Sequence, residues 1–235
     1  MAYEDATFNY GNVFQGLSHI SEHEIEQVLH LTLTDDAKRF RELMMKYDCA
    51  ISEVRTKLEI LNRDMSLKYQ RNPFESIKSR LKTPTSIYEK LVRRGLPVTY
   101  DTIANELNDI AGVRVVCSFV DDIYTLADCL TEQDDILVIQ RKDYLANPKD
   151  NGYRSLHLIV SVPVFLTDKK EPMKVEVQFR TIAMDFWASL EHHMKYKKDI
   201  RNPEVVSDEM RYASDLINQL DKRMMQIREK IDYAE

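Results

Sequence analysis

The chain predicts an α+β domain in which a mixed sheet of about five strands is flanked by helices. Three observations carry this reading. Segments 74–82, 111–119, 135–144, 154–166 and 173–181 alternate apolar and polar residues or run β-branched, as strands do. Stretches with helical spacing separate most of them. The last two strands are joined through the turn TDKKEP, which makes them antiparallel neighbours.

Residues 1–33 are polar and interrupted by Gly11 and Gly16, and they read as an N-terminal extension ahead of a single domain over 34–235. From Asp35 the apolar residues Phe40, Leu43, Met44, Tyr47, Ile51, Val54, Leu58, Leu61 and Met65 predict one long amphipathic helix, stopped by Asn72-Pro73. The strand FESIKSRLK follows. Pro84 opens a helix that Gly95 closes, and a short helix around TYDTIANEL leads to the strand AGVRVVCSF. Next come the helix DDIYTLADCLTEQ, the strand DILVIQRKDY and a turn-rich loop, LANPKDNG. RSLHLIVSVPVFL and MKVEVQFRT are the last strands. IAMDFWASLEHHMKYKK is helical, and a final helix follows Asn202-Pro203.

Composition narrows the function. The 235 residues are 43% hydrophobic, enough for a core, and the net charge of −6 argues against a general nucleic-acid binder while leaving room for a local basic pocket. Cys49, Cys117 and Cys129 form no C-x-x-C pair and read as reduced thiols of a cytosolic protein. No apolar run reaches transmembrane length and the N-terminus is acidic, so the expected location is the cytoplasm, with no membrane partner.

Chemistry concentrates on the polar faces of two strands. Lys78, Arg80 and Lys82 share one face of the first, and Glu176, Gln178 and Arg180 share one face of the last. Ser86, Lys90 and Arg93 fall at i, i+4, i+7 on the helix that begins just after Lys82. Strand end, helix start and basic helix face can converge on one polyanion, or each can simply be a solvated face. A phosphate site here is built from side chains, because neither a P-loop nor G-x-G-x-x-G is present. Such chemistry leans on Lys, Arg and a divalent cation held by carboxylates, for which Asp109 and Glu176 are the best placed. Arg114 follows Asp109, with Gly112 leaving space between them. In KDYLANPKDNGYRSLH, Lys142 and Lys149 stand at the rims of the loop, while Tyr153, Ser155 and His157 are expected on one strand face. Tyr153 is either a base-stacking ring or a packed aromatic.

LKTPTSIYEKLVRR, NDIAGVRVVCSF, DYLANPKDNGYRSLH and VEVQFRTIAMDFWASLEH, in that order, resemble the synthetase domain of the RelA/SpoT enzymes. The likeness spans residues 40–230 and is to the small alarmone synthetases of RelP or RelQ type, nearer RelP. It implies a nucleotidyltransferase-like fold and a GTP pyrophosphokinase of the stringent response. The β,γ-pyrophosphate of ATP would move to the 3′-OH of GDP or GTP, releasing AMP. Under this resemblance Arg80 and Arg114 sandwich adenine, and Lys82, Ser86, Lys90 and Arg93 hold the ATP phosphates. Asp109 and Glu176 bind Mg²⁺, with Glu176 near the attacking hydroxyl. Tyr153 stacks on guanine, and Lys142, Lys149, His157 and Gln178 line the acceptor side. Asp185 stands where RelQ-type sequences have Asn.

No His-Asp dipeptide of the hydrolase kind occurs, so synthesis without hydrolysis is expected. The pairs His192-His193 and His23 with His30 lack partners at zinc spacing and read as ordinary histidines. The apolar stripe Val206, Met210, Ala213, Leu216, Ile217, Leu220, Met224, Ile227 and Ile231 either packs on the first long helix or forms an oligomer interface. The family's homotetramers favour the second, and regulation by nucleotide or RNA is a further possibility. Two rival functions remain. A nucleotidyltransferase releasing pyrophosphate would carry a Gly-Ser turn and D-x-D, which are absent. A non-catalytic nucleotide- or RNA-binding module gains nothing from the two carboxylates.

Overall fold

The computed structural model describes residues 35–195 and 203–232. The extension 1–33, with His19, His23 and His30, lies outside the described residues. Helix α1 (Asp35–Tyr69) ends where Gln70 takes φ 51, a left-handed residue that lifts the chain off the helix before Pro73. Strand β1 (Phe74–Leu81) leads into α2 (Pro84–Arg93). Thr83 caps α2 by accepting the Ser86 amide, and Pro84 sits in its first turn. Gly95, at φ 65, ends it while Leu96 N returns to Leu91 O. Helix α3 (Tyr100–Glu106), capped by Thr99, precedes β2 (Ala111–Cys117). Then follow α4 (Val120–Thr131), β3 (Leu137–Asp143), β4 (Leu156–Phe165), β5 (Lys170–Thr181), α5 (Ile182–Lys195) and α6 (Pro203–Asp232).

The five strands form one mixed sheet in the order β1-β2-β5-β4-β3. Only β2 and β5 run parallel, and the late hairpin β4–β5 is antiparallel as expected. Its turn is tighter than TDKKEP suggests, because β5 already begins at Lys170 and Leu166 N bonds Lys169 O. On one face Val113, Val115, Leu156, Leu158, Val160, Val175, Val177 and Phe179 are buried against Val54 and Leu58 of α1 and Leu126 and Leu130 of α4. The second set of each strand therefore projects from the opposite face. β4 starts at Leu156, so Ser155 does not share a strand face with Tyr153 and His157: it is fully buried and donates to Phe179 O at 3.0 Å. No helix is long and apolar enough to cross a membrane among the described residues.

α6 is pinned to the rest of the fold by polar contacts. Trp187 Nε1 donates to Met210 O at 2.9 Å, Thr181 Oγ1 to Asp221 Oδ2 at 2.8 Å, and Arg228 Nη2 to Asp121 Oδ2 at 2.6 Å. Burial raises the Asp221 carboxyl above its ordinary 3.8, more than the Thr181 hydroxyl lowers it. An acid with a raised folded value takes up protons more readily when folded, so its ionised form costs stability at neutral pH. Asp221→Asn keeps an acceptor for Thr181 and is expected to raise Tm at pH 7. Thermal melts across pH check this: the gain should vanish near pH 3.8.

Candidate active site

Strand register lays the polar face out in rows. Lys78, Arg114, Gln178, His157 and Lys142 are successive cross-strand neighbours through β1, β2, β5, β4 and β3. The next row toward α2 holds Arg80, Gly112 and Glu176. A Cβ on Gly112 would meet only Arg80 O, at 3.6 Å, so glycine here leaves open space above the sheet. A cleft of about 340 Å³ occupies that space, lined by Lys78, Arg80, Lys82, Asp109, Arg114, Glu176 and Gln178 among others.

At one end of the cleft, Lys82 N bonds Ile110 O at 2.8 Å, extending the β1–β2 ladder and setting Lys82 beside Asp109. The Lys82 and Lys90 ammonium groups each lie 2.6 Å from Asp109 Oδ2. Burial alone would raise the Asp109 carboxyl, but the two lysines overcome it and hold the group below its ordinary value. Burial lowers Lys82 in turn, against the pull of Asp109. Asp109 Oδ1 is buried and accepts no hydrogen bond. Among the described residues no three His, Cys, Asp or Glu side chains converge as a metal site.

Glu176 belongs to a closed ring of side chains. His157 Nδ1 stands 3.2 Å from Glu176 Oε1, and Nε2 stands 2.8 Å from the Tyr153 hydroxyl. Arg180 Nη2 donates to that hydroxyl (2.6 Å) and to Gln178 Oε1 (3.1 Å), and Gln178 Nε2 donates to Glu176 Oε2 (2.9 Å). The ring closes with His157 Nδ1 donating to Glu176 Oε1 and Nε2 meeting the Tyr153 hydroxyl. Burial pushes Glu176 up, but the His157 and Gln178 bonds outweigh it and the carboxyl lies below its ordinary 4.5.

The structure thus brings Arg80, Lys82, Asp109, Arg114, Glu176 and Gln178 around one cleft, with Lys90 paired to Asp109 at its end and Tyr153 and His157 in the ring beside it. Lys149 lies with its ammonium 4.9 Å from the Tyr153 ring centre. Lys142 is exposed at the end of the His157 row, Arg93 is exposed on α2, and Ser86 is bonded to its own cap, Thr83. Two members were not singled out for these contacts from sequence. Arg180 closes the ring, and Asp185, in the first turn of α5, takes bonds from Lys78 (3.4 Å), Arg114 (3.3 Å) and Arg180 (3.2 Å). His192 and His193 are exposed, with His193 Nδ1 2.7 Å from Ser189 O.

A family model described as the region found in RelA / SpoT proteins matches residues 79–201. GTP pyrophosphokinase YwaC of Bacillus subtilis is 41% identical over 208 residues, 87% of this chain and 99% of YwaC. The chain belongs to the RelA/SpoT family. Among solved structures of this family, the small alarmone synthetase 1 from Bacillus subtilis bound to its product pppGpp matches with a TM-score of 0.73 at 35% identity. That match covers 83% of this chain and 99% of that one. The same synthetase bound to AMPCPP matches with a TM-score of 0.69 at 32% identity, again over 83% and 99%. The mixed sheet with its flanking helices is the fold these relatives share.

The lowered carboxyl of Asp109 has a measurable consequence. An acid held low contributes stability that is complete above its ordinary 3.8 and is lost as pH falls through its folded value. Asp109→Asn, which leaves Lys82 and Lys90 without a counter-charge, should therefore lower Tm at neutral pH. The gap from the unmodified chain should close below pH 3.8. A gap that persists unchanged into acid would contradict this origin.

Proposed function

We propose that this member of the RelA/SpoT family is a GTP pyrophosphokinase that makes ppGpp or pppGpp and AMP from ATP and GDP or GTP, without a hydrolase activity. The observation that carries the proposal is Glu176, an ionised carboxylate held by His157 and Gln178 in a cleft that Lys78, Arg80, Lys82 and Arg114 also line. A passive anion site has no use for such a group, whereas a ribose hydroxyl attacking phosphorus must lose a proton.

Arg80 and Arg114 stack on adenine, and Lys82, Ser86, Lys90 and Arg93 take the donor phosphates. Tyr153 stacks on guanine, and Lys142, Lys149, His157 and Gln178 line the acceptor. The 3′-OH attacks the β-phosphorus in line while the bond to the AMP oxygen breaks. Glu176 orients the hydroxyl and takes its proton; with a value held low it is a weak base, so the proton leaves late, once attack has made the hydroxyl acidic. Lys82, Lys90 and the arginines stabilise the charge arriving on AMP. Asp109 and Glu176 fit a divalent cation, taken as Mg²⁺, since both face the cleft and the buried Asp109 Oδ1 has no hydrogen bond. Bound there, the ion would neutralise phosphate charge. The free thiols Cys49, Cys117 and Cys129 suit a reducing compartment, and we assign the enzyme to the cytoplasm.

Chromatography of ATP plus GDP reactions tests this reading. AMP and a guanosine tetraphosphate are expected, and pyrophosphate release would point instead to nucleotidyl transfer. Glu176→Gln should bind both nucleotides yet lose on the order of 10²–10⁴ in turnover. Incubation of the unmodified chain with ppGpp and Mn²⁺ should release no pyrophosphate.

We also assign a homotetramer. On α6, Leu216, Leu220, Met224, Ile227 and Ile231 are exposed along one side, while α1 lies across the sheet. Light scattering at micromolar concentration should report four times the mass of the chain, and a monomer would refute the assignment.

A further inference from the structure

The loop from Tyr144 to Ser155 carries Lys149 and Tyr153 to the site, and the sheet holds its two ends. Tyr144 N bonds Ser155 O at 3.0 Å, and Ser155 Oγ bonds Phe179 O. Its tip is held by helices. Gly152 is buried at φ 87, and a Cβ on it would lie 2.7 Å from Ser214 Cβ and 3.2 Å from Arg211 Cα. The loop backbone therefore lies directly on α6. Ser214, 3% exposed, donates its hydroxyl to Gly152 O. One residue on, Asp215 accepts from Arg154 Nη2 at 3.1 Å, and on α5 Glu191 accepts from Asn151 Nδ2 at 3.0 Å.

These contacts grip the turn that presents the acceptor-side residues. Gly152 N donates to Lys149 O at 2.8 Å, and Lys149 N to Tyr153 O at 3.2 Å, so Lys149, Gly152 and Tyr153 form one hydrogen-bonded unit. Tyr153 then reaches His157 and Arg180 through its hydroxyl. Rotation about Gly152 would swing the Tyr153 ring and the Lys149 ammonium together. A glycine at positive φ has little conformational resistance of its own to such rotation. The restraint comes from α6.

We propose that Ser214 is a positioning residue for the acceptor nucleotide: through Gly152 it sets where Lys149 and Tyr153 meet a guanosine 5′-diphosphate, and Asp215 supports it through Arg154. This rests on the pyrophosphokinase reading for the identity of the acceptor. It also places a determinant of acceptor binding on the C-terminal helix, outside the sheet and its loops.

Ser214→Ala removes the hydroxyl without adding bulk. Titration calorimetry of the full chain with GDP alone and with AMPCPP alone, together with Tm and amide hydrogen exchange over residues 144–155, tests the proposal. Loss of one buried hydrogen bond should weaken GDP about five- to tenfold and leave AMPCPP within about twofold. The loop amides should exchange faster. Asp215→Asn should weaken GDP in the same sense but less. Unchanged GDP affinity, or equal weakening of both ligands in step with a fall in Tm, would overturn it. Turnover of ATP with GDP by the unmodified chain is scored separately. Its absence would overturn the pyrophosphokinase reading, while the GDP and exchange measurements, which need no turnover, would still decide the role of Ser214.

Discussion

Glu176 owes its position to the residues on either side of it, Val175 and Val177, which point the other way and are fully buried. β5 is the middle strand of the sheet, parallel to β2 and antiparallel to β4, with its apolar set packed beneath α1. A slip of one residue would put Glu176 and Gln178 into the core and Val175 and Val177 into the cleft, so burial on one face specifies the register absolutely. The same constraint runs through the neighbouring strands. Ladder pairing then converts a choice of register into a row of five polar side chains. The arrangement of the polar face is thus set by the core it backs onto.

The electrostatics follow from gathering cations in a chain whose net charge is −6. Burial lowers Lys82 and Arg114 most, and repulsion from neighbouring cations on the same face adds to it. Two carboxylates offset it. Asp109 takes Lys82 and Lys90, and Asp185 takes Lys78, Arg114 and Arg180. Under the proposed assignment, a polyphosphate entering the cleft would compete with Asp109 and Asp185 for the same ammonium and guanidinium groups. Internal anions thus make the site stable without ligand and lessen the net gain when ligand binds.

Alternation alone made the site partly legible. It placed Lys78, Arg80 and Lys82 on one strand face and Glu176 and Gln178 on another, and the helical spacing of Lys90 carried it to the same end of the cleft. What it could not show is which distant residues complete each contact. Asp185 meets Arg114 across 71 positions and Lys78 across 107, and Ser214 meets Gly152 across 62. No local period encodes such pairs; they follow from strand order, from where α5 packs on β2 and β5, and from where α6 meets the loop at Gly152. Ser155 shows the opposite error. It fits the alternation of the residues after it, yet the chain has not entered β4 there, and its hydroxyl is spent on the Phe179 carbonyl.

The two halves of the site are held by different parts of the fold. On the side proposed for the donor, the Thr83 cap and Pro84 fix the start of α2, so that Lys90 and Lys82 close on Asp109. On the acceptor side, a loop with a positive-φ glycine at its tip is pressed onto α6, whose further anchors at Thr181 and Asp121 tie it to the end of β5 and the start of α4. The halves meet at Arg114, Glu176 and Gln178 on β2 and β5, two inner strands of the sheet. The acceptor flank reaches that carboxylate through Tyr153 and His157, so under the proposed assignment the setting of the loop bears on Glu176 as well as on the nucleotide. An in-line transfer of the kind proposed needs both flanks set against one carboxylate, and the register of β5 between β2 and β4 is what fixes that carboxylate for both.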